Sequence, residues 1–566
     1  MNRGEYRKRI ACLLLSSLIS IPGFGTEPVK AKHAMVVTLE PLAAGVGVKV
    51  LKEGGNAVDA AVAVGFALAV THPYAGNIGG GGFMLVRMAN GRTEFIDFRE
   101  EAPLAATHDM YLDKDGNPTR ESLVGWRSSG VPGSVAGFDY ALKKFGTKPW
   151  ARLLAPAVTL ARDGFVVDDY FANQLRTKHL SEDPESKRIF QRNGDYYNAG
   201  DTIRQPELAT TLQRIATYGA KEFYEGETAR KFAEAMKANQ GLITLDDLKA
   251  YKAIGRKPIE GTYKGFRIIS SPPPSAGGIG LLQMMGILEG THYDSDGPDS
   301  AKAVHYEAEA MRRFYADRSE YLGDPSFYNV PVAALLDPAY IAKRRASIDP
   351  NQETPSDAVE PGLPRSENAS LHWHESNQTT HYDIVDAQGN AVAVTYTLNG
   401  GFGNGIVVPG LGFLLNNEMD DFVAKPGSPN MFGMVGGEAN SIAPGKRPVS
   451  SMTPTIITRG GKVFMVVGAP GGGRITTGVM EVILDVLDFH MNPQDAVDLP
   501  RFHEQWRPDY LYLQRGFNPV AERELVAMHY QVRPTDGVAR VVALVNDNGT
   551  LEGGVEPKYH GKVAGY

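Results

Sequence analysis

Residues 379–399 read TTHYDIVDAQGNAVAVTYTLN, and this stretch carries a β-hairpin signal. Two runs rich in β-branched and aromatic residues, 381–385 and 391–396, flank the turn-forming sequence Asp386-Ala387-Gln388-Gly389-Asn390. A loop of residues 387–389 puts Gly389 at the position where such a turn needs left-handed backbone. The pattern therefore predicts an antiparallel hairpin in which Asp386 faces Asn390.

The predicted register brings two threonines together at the open end of the hairpin. Counting outward from the turn, Thr379 faces Thr397. Cross-strand neighbours are close enough for their side chains to form hydrogen bonds. On this pattern alone, the more ordinary interpretation is a threonine pair that stabilises a sheet.

The position of Thr379 favours a second interpretation, a catalytic nucleophile. Thr379 directly follows residues 348–378, a polar and proline-rich stretch typical of an exposed, mobile connector. Cleavage between Gln378 and Thr379 would leave an α-amine beside the threonine hydroxyl. An α-amine has an ordinary pKa of about 8 and can act as general base for this otherwise weak nucleophile. The chain contains no Gly-x-Ser-x-Gly, His-Glu-x-x-His or P-loop motif that would provide another mechanism.

Two other features suggest ligands less strongly. His372, His374 and His381 lie in or beside the connector, but histidines in such a segment seldom form a metal site, and we predict no metal. The glycines at 79–82 favour a tight turn over a phosphate loop, because no strand precedes them and no clear helix follows.

The rest of the chain alternates helix and strand signals. Strands are predicted at 83–88 and 93–98, the second of which ends at Arg99. The predicted helices cover residues 41–51, 57–70, 134–145, 151–163, 208–216, 227–238, 279–288, 301–315 and 476–489. Because the region after Thr379 is rich in strand patterns, we expect a helical half joined to a sheet-rich half.

The composition is that of an ordinary globular protein, with 42% hydrophobic and 22% charged residues among 566. Residues 1–25 combine a basic start with a short apolar run, which predicts a secretory signal and a periplasmic or secreted mature protein without a membrane span. Cys12, the only cysteine, lies in this segment, so no disulfide or cysteine nucleophile is expected. The net charge of −7 argues against a nucleic-acid partner.

Several motifs together resemble those of bacterial γ-glutamyltranspeptidases, which belong to the N-terminal nucleophile hydrolase superfamily. They occur in order over nearly the whole mature chain, which makes the resemblance specific. The matching segments are residues 54–60, 97–100, 272–275, 316–321, 377–382, 393–399, 414–422, 447–452 and 470–474.

The resemblance implies a role for each matching position. Thr379 corresponds to the nucleophile of both self-cleavage and catalysis, and Thr397 to the hydroxyl that supports it. The backbone N–H groups of Gly471 and Gly472 correspond to the oxyanion hole. The positions that correspond to substrate-binding residues are Arg99, Ser450 and Ser451 for the α-carboxylate, and Asn399, Glu418 and Asp421 for the α-ammonium. Residues 429–437 resemble a lid loop in which Phe432 replaces a tyrosine.

The family further implies an α+β fold, a four-layered αββα sandwich shared by a large subunit, residues 26–378, and a small subunit, residues 379–566. The implied enzyme transfers a γ-glutamyl group from glutathione or a related compound to water, an amino acid or a peptide, without a cofactor. Two alternatives remain open. One is a glutaryl β-lactam acylase with the same nucleophile, against which Asp421 argues. The other is a non-catalytic binding protein.

Overall fold

The computed structural model describes residues 27–363, 379–428, 430–431 and 433–566. Its centre consists of two seven-stranded antiparallel sheets. With strands numbered in chain order, the first sheet contains, across its width, β1 (Val29–Ala31), β20 (Thr550–Val555), β19 (Val542–Asp547), β15 (Lys462–Gly468), β14 (Thr455–Arg459), β11 (Phe266–Ser270) and β10 (Ile259–Tyr263). The second contains β21 (Lys562–Gly565), β2 (Met35–Thr38), β12 (Thr380–Val385), β13 (Ala391–Thr397), β3 (Gly81–Arg87), β4 (Thr93–Phe98) and β9 (Ile254–Arg256).

Helices cover the outer faces of both sheets. They are α1 (Pro41–Lys52), α2 (Ala57–Thr71), α3 (Ser134–Phe145), α4 (Trp150–Asp163), α5 (Asp169–Leu175), α6 (Lys178–Glu182), α7 (Pro184–Phe190), α8 (Pro206–Tyr218), α9 (Lys221–Glu225), α10 (Glu227–Ala238), α11 (Leu245–Ala250), α12 (Gly277–Leu288), α13 (Ala301–Tyr321), α14 (Val332–Leu335), α15 (Pro338–Ala346), α16 (Ile475–Leu487), α17 (Pro493–Asp498) and α18 (Pro519–Ala527). The remaining strands are β5 (Phe165–Val166), β6 (Gln191–Arg192), β7 (Asp195–Tyr196), β8 (Thr202–Ile203), β16 (Phe502–His503), β17 (Leu511–Gln514) and β18 (Val532–Thr535).

Side-chain alternation along the strands produces the layers. In β3, Phe83 and Leu85 pack into the core between the sheets, whereas Met84 and Val86 pack against the helices on the other side. Helices α1, α2 and α3 lie on the second sheet, with α4 outside α2, and α12, α16 and α17 lie on the first, with α13 outside α12. The protein is therefore a four-layered αββα sandwich, as the family resemblance implied.

The β12–β13 hairpin has the predicted register. Thr380 pairs with Tyr396 and Val385 with Ala391, while the N–H of Asp386 donates to the carbonyl of Asn390 (3.0 Å). Gly389 adopts φ 83°, the left-handed backbone that the turn requires. The Asp386 carboxylate also accepts a hydrogen bond from the N–H of Ala57 (2.9 Å) and so ties the turn to the start of α2.

The glycines at 79–82 allow a close approach of β3 to this hairpin. A Cβ atom on Gly80 would lie 2.0 Å from the Thr397 carbonyl oxygen, and one on Gly82 would lie 2.3 Å from that of Thr395. β3 accordingly begins at Gly81, inside the glycine run, where the sequence predicted a turn before a strand at 83. The small size of these glycines lets β3 pack beside Thr397.

The expected difference between a helical half and a sheet-rich half is present, since α1–α15 precede residue 364 and only α16–α18 follow Thr379 in the described residues, but the two halves are not separate units. Residues before 364 supply seven strands of the two sheets, and those from 379 onward supply the other seven. Each sheet thus mixes strands from both parts of the chain, because pairing partners are distant in sequence. Each predicted helix is present, but the helix that starts at Ala301 continues to Tyr321 instead of ending at 315.

Residues 348–363 also differ from the predicted mobile connector. The indole N–H of Trp506 donates to the carbonyls of Ser356 (3.0 Å) and Val359 (2.8 Å), which anchors this part to a distant loop. The polar composition of residues 348–363 gives no indication of these long-range contacts. Residues 364–378, which include the Gln378 side of the predicted cleavage site, lie outside the described residues, as does the predicted signal segment 1–25.

Candidate active site

The predicted threonine pair lies at the open end of the hairpin. Thr379 immediately precedes β12, Thr397 ends β13, and their side-chain oxygens are 3.4 Å apart, the length of a weak hydrogen bond. Both residues are nearly inaccessible, with 4% and 2% exposure. The Thr397 hydroxyl oxygen also accepts from the N–H of Asn399 (2.9 Å), so a backbone donor holds it in place.

Asn399 connects this hairpin to the loop that carries the acidic residues. Its φ of 70° is left-handed, a conformation that asparagine adopts more readily than most residues. Its side-chain amide donates to the carbonyl of Asn417 (2.9 Å), and Asn416 accepts from the N–H of Glu418 (3.0 Å). The hairpin end and the short helix Glu418–Asp421 are therefore fixed relative to each other.

Arg99 directly follows the last residue of β4, and its guanidinium lies among carboxylates. Its guanidinium is 2.5 Å from Glu418 Oε1, forms a second ion pair with Asp421, and lies 3.8 Å from Glu100. The resemblance assigned Arg99 and Asp421 to opposite charges of one substrate; here the two side chains contact each other. Opposite charges attract strongly when they share a pocket from which water is largely excluded.

This arrangement shifts the pKa values of the buried groups. Burial alone would lower the pKa of Arg99, but Glu418, Asp421 and Glu100 together raise it. Burial raises the pKa of Glu418 well above its ordinary value, and Glu100 and Asp421 raise it further while Arg99 opposes the shift. Burial also raises the pKa of Glu100 to about 7, against the effect of Arg99. The charged end of the pocket thus holds more carboxyl groups than one guanidinium can neutralise.

Ser450 and Ser451 line the same pocket from a loop that is hydrogen-bonded to the segment before α12. The Ser450 N–H donates to the Pro274 carbonyl (3.0 Å), and the Ser450 carbonyl accepts from the Ala276 N–H (2.8 Å). The proline-rich segment before α12 therefore fixes the position of the serine loop through two backbone hydrogen bonds.

Gly471 and Gly472 lie where the chain enters α16. Gly472 begins a single 3₁₀ turn, Gly472–Arg474, and N–H groups at a helix start have no acceptor inside the helix. Among the described residues, neither glycine N–H has a hydrogen-bond acceptor elsewhere. These two donors are available to a ligand.

One pocket collects nearly all of the predicted positions. Its lining includes nine of them: Arg99, Thr379, Thr397, Asn399, Glu418, Asp421, Ser450, Ser451 and Gly472. Gly471 is adjacent in the chain but does not line the pocket. The pocket thus has a hydroxyl nucleophile candidate at one end and an arginine with carboxylates at the other.

Known proteins that are similar to this chain identify its family. The family model for γ-glutamyltranspeptidase matches residues 43–566. This chain belongs to the γ-glutamyltranspeptidase family. It is 50% identical to the glutathione hydrolase proenzyme of Escherichia coli (strain K12), over 98% of this chain and 97% of that protein. The family identity also makes it an enzyme of the γ-glutamyltransferase type.

Several solved structures share the fold of this chain, and two of them are informative. A cephalosporin acylase from Bacillus halodurans has a TM-score of 0.84 at 28% identity, covering 96% of this chain and 97% of that one. The Helicobacter pylori γ-glutamyltranspeptidase has a TM-score of 0.57 at 46% identity, covering 58% of this chain and 96% of that one. Transferases and acylases therefore share this scaffold, and the pocket must distinguish them.

The pocket also contains residues that were assigned no individual role from the sequence, namely Arg318, Asn430, Met434, Met452, Gly473 and Ile475. Arg318 lies inside one of the matching motifs, residues 316–321, so the motif could have identified it. Asn430 belongs to the predicted lid loop and donates to Asp421 (3.1 Å). Phe432, predicted to replace a lid tyrosine, lies outside the described residues.

The histidines considered for a metal site are explained differently. His381 is fully buried, and its ring nitrogens contact Thr395 (2.7 Å) and Asp383 (2.9 Å). His372 and His374 lie outside the described residues, and within the described part no cluster of three or more His, Cys, Asp or Glu side chains is suited to a metal. Nor does any helix in that part combine the length and apolar character needed to cross a bilayer.

Proposed function

We propose that the chain is a proenzyme that cleaves itself between Gln378 and Thr379 and then transfers γ-glutamyl groups from glutathione or a related γ-glutamyl amide to water, an amino acid or a peptide. The observation that carries this proposal is the 3.4 Å contact between the Thr379 and Thr397 hydroxyls in the pocket that also contains Arg99 and Asp421. The glutathione hydrolase relative supports the same substrate class.

In the first half of the reaction, Thr379 Oγ1 attacks the γ-carbonyl carbon, and the α-amine of Thr379 accepts the hydroxyl proton. The oxygen of the tetrahedral intermediate takes the negative charge and receives hydrogen bonds from the N–H groups of Gly471 and Gly472. The carbon–nitrogen bond then breaks, the leaving amine takes the proton, and a γ-glutamyl ester of Thr379 remains.

The second half reverses the proton transfers. Water, or the amino group of an acceptor, attacks the ester carbonyl and gives a proton to the α-amine. The carbon–oxygen bond to Thr379 breaks, the proton returns to the hydroxyl, and glutamate or a new γ-glutamyl amide leaves. Thr397 supports Thr379 Oγ1 in both halves and no cofactor is needed.

Recognition of the donor requires the ion pairs of the pocket to open. A γ-glutamyl group carries a carboxylate and an ammonium on one carbon. The carboxylate would replace Asp421 on Arg99 and accept from Ser450 and Ser451, while the ammonium would take Asp421 and Glu418, with Asn399 beside them. The two charges of the substrate thus take the place of the ion pairs that open within the protein.

The test against the acylase alternative uses two p-nitroanilides. The γ-glutamyl compound has both charges, whereas the glutaryl compound has the carboxylate alone. We expect a higher kcat/KM for the γ-glutamyl compound and an increase in rate with a dipeptide acceptor. A preference for the glutaryl compound would favour the acylase. A purified protein that stays one chain, without a free Thr379 amine, would favour a non-catalytic protein.

We also propose that residues 1–25 are a signal removed on export to the periplasm or the medium, and that residues 26–378 and 379–566 stay associated as a heterodimer. The shared sheets support this association, since both parts contribute strands to each one. N-terminal sequencing of the two pieces from the secreted protein tests both points. The expected results are a first piece that starts soon after residue 25 and a second that starts at Thr379.

A further inference from the structure

A second guanidinium lines the same pocket. Arg318 lies in the last turn of α13, and its Nη2 donates to the side-chain oxygen of Ser451 (3.3 Å). Its Nε has no hydrogen-bond partner among the described residues. Arg318 reaches the pocket because α13 continues to Tyr321, beyond the end that the sequence predicted.

Arg318 and Arg99 have different electrostatic surroundings. Arg99 contacts Glu418 and Asp421 directly and lies 3.8 Å from Glu100. Arg318 makes no ion pair with any described carboxylate, and Asp421 acts on it only from a longer distance. The positive charge that is not already paired in this pocket therefore resides on Arg318, on the side of the serine loop.

The contact with Ser451 also determines what that hydroxyl can do. A serine hydroxyl has one hydrogen and two acceptor lone pairs. Because its oxygen accepts from Arg318, its hydrogen points away from the guanidinium, and no described residue accepts it. Ser451 lines the pocket, so this hydrogen is available to an anion there.

We propose that Arg318 is a specificity-determining residue that, together with the Ser451 hydroxyl it orients, binds the carboxylate of the donor substrate. In this arrangement Arg99 interacts both with the substrate carboxylate and with the surrounding acidic side chains. Arg318 supplies a positive charge that no carboxylate of the protein already pairs. This role rests on the proposed γ-glutamyl transfer. The test must therefore distinguish a failure of the Arg318 assignment from a failure of the proposed function.

Three p-nitroanilides provide that test. The γ-glutamyl compound has carboxylate and ammonium, the glutaryl compound has the carboxylate alone, and the 4-aminobutanoyl compound has the ammonium alone. Each is measured as a substrate and as a competitor of the γ-glutamyl reaction, in water without an acceptor. Arg318→Gln should lower kcat/KM for the two carboxylate compounds by about 10- to 100-fold, mainly through KM, because a hydrogen-bonded charge is lost. The 4-aminobutanoyl compound should change by less than about two-fold.

Controls separate this role from a structural one. Lys302→Gln removes a cation from the other end of α13 and should leave all three compounds unaffected. Arg318→Lys keeps the charge but loses the planar fork, so it should give a smaller loss with the same substrate pattern. If Arg318→Gln fails to mature into two pieces, Arg318→Lys takes its place as the test variant.

Three outcomes overturn the assignment. An equal loss for all three compounds would mean that Arg318 only supports the fold, and no loss for any would mean that it does not contact the donor. A loss seen only when a dipeptide acceptor is added would mean that Arg318 binds the acceptor and not the donor. If the wild type cannot turn over the γ-glutamyl compound, the proposed function itself fails, and the role of Arg318 fails with it.

Discussion

The two ends of the pocket are built in opposite ways. At the nucleophile end, Thr379 and Thr397 meet because one hairpin with a short turn places them opposite each other. At the charged end, Arg99 meets Glu418 and Asp421, which share one short helix far from Arg99 in the chain, and the opposite charges attract each other. The first end depends on local geometry, and the second on a balance of charges.

This difference has consequences for how each end should respond to change. The hairpin is locked by backbone pairing on both sides, to β2 and β3, so the threonines cannot move far. The charged side chains must exchange partners when a substrate enters. We therefore expect substitutions at the nucleophile end to affect all substrates alike, and substitutions at the charged end to affect them selectively.

The largest effect is expected at Thr379. Thr379→Ala removes the nucleophile of both reactions, so the protein should remain one chain and lose activity by about four orders of magnitude or more. Thr379→Ser keeps a hydroxyl and is the matched control, which should still mature. Gel electrophoresis and N-terminal sequencing measure the cleavage. A second piece that starts at any residue other than Thr379 would contradict the assignment.

Asp421→Asn tests the charged end of the pocket, because it removes a charge there without changing the shape of the side chain. We expect kcat/KM for γ-glutamyl p-nitroanilide to fall by about 10- to 100-fold, since an enclosed contact between charges is lost. Glutaryl p-nitroanilide, which has no ammonium, should lose little or gain. Arg99→Lys is the counterpart and should weaken both compounds. Equal losses from Asp421→Asn for both compounds would show that the charged end does not act selectively on the ammonium.

Thr397→Val is expected to have a smaller effect. The substitution keeps the branched shape but removes the hydroxyl that lies 3.4 Å from Thr379 Oγ1. Loss of one hydrogen bond to a reacting group should slow maturation or turnover by about ten-fold or more, equally for all donors. The rates of cleavage and of p-nitroaniline release check this. An unchanged rate would show that the Thr397 hydroxyl does not assist Thr379.

The same difference explains what could be predicted from the sequence. The turn at Asp386–Asn390 is local, so its composition alone gave the register that brings Thr379 to Thr397. Nothing local relates Arg99 to Glu418, and those positions came only from the family resemblance. That resemblance identified the residues but did not reveal that the arginine and the acids contact each other.

Long-range contacts also account for the errors. The polar segment 348–363 looked like an exposed connector, but Trp506 and other buried donors bind its carbonyls. The end of α13 was missed because its polar residues interrupt the apolar spacing, and that end carries Arg318 into the pocket. In both cases the contacts that fix these polar residues come from distant segments, which a local pattern does not show.

The smallest effect concerns the dependence of substrate choice on pH, through Glu418. Burial raises the pKa of this carboxyl well above its ordinary value, with a further contribution from Glu100 and Asp421. A raised pKa means that the group is protonated over more of the acidic range, and a neutral carboxyl cannot pair with an ammonium. The ratio of kcat/KM for γ-glutamyl over glutaryl p-nitroanilide should therefore fall as the pH decreases.

This ratio removes the titration of the Thr379 amine, which acts on both compounds equally. In Glu418→Gln the titrating group is gone, so the ratio should be about three- to ten-fold lower than in the wild type at high pH and should change less toward low pH. Glu100→Gln is the companion variant: because Glu100 helps to raise the pKa of Glu418, its loss should move the fall in the ratio to lower pH and leave the ratio at high pH near that of the wild type. A wild-type ratio that is flat with pH, or an equally steep one in Glu418→Gln, would show that the ammonium does not depend on the Glu418 charge. Recognition at this end would then rest on Asp421 alone.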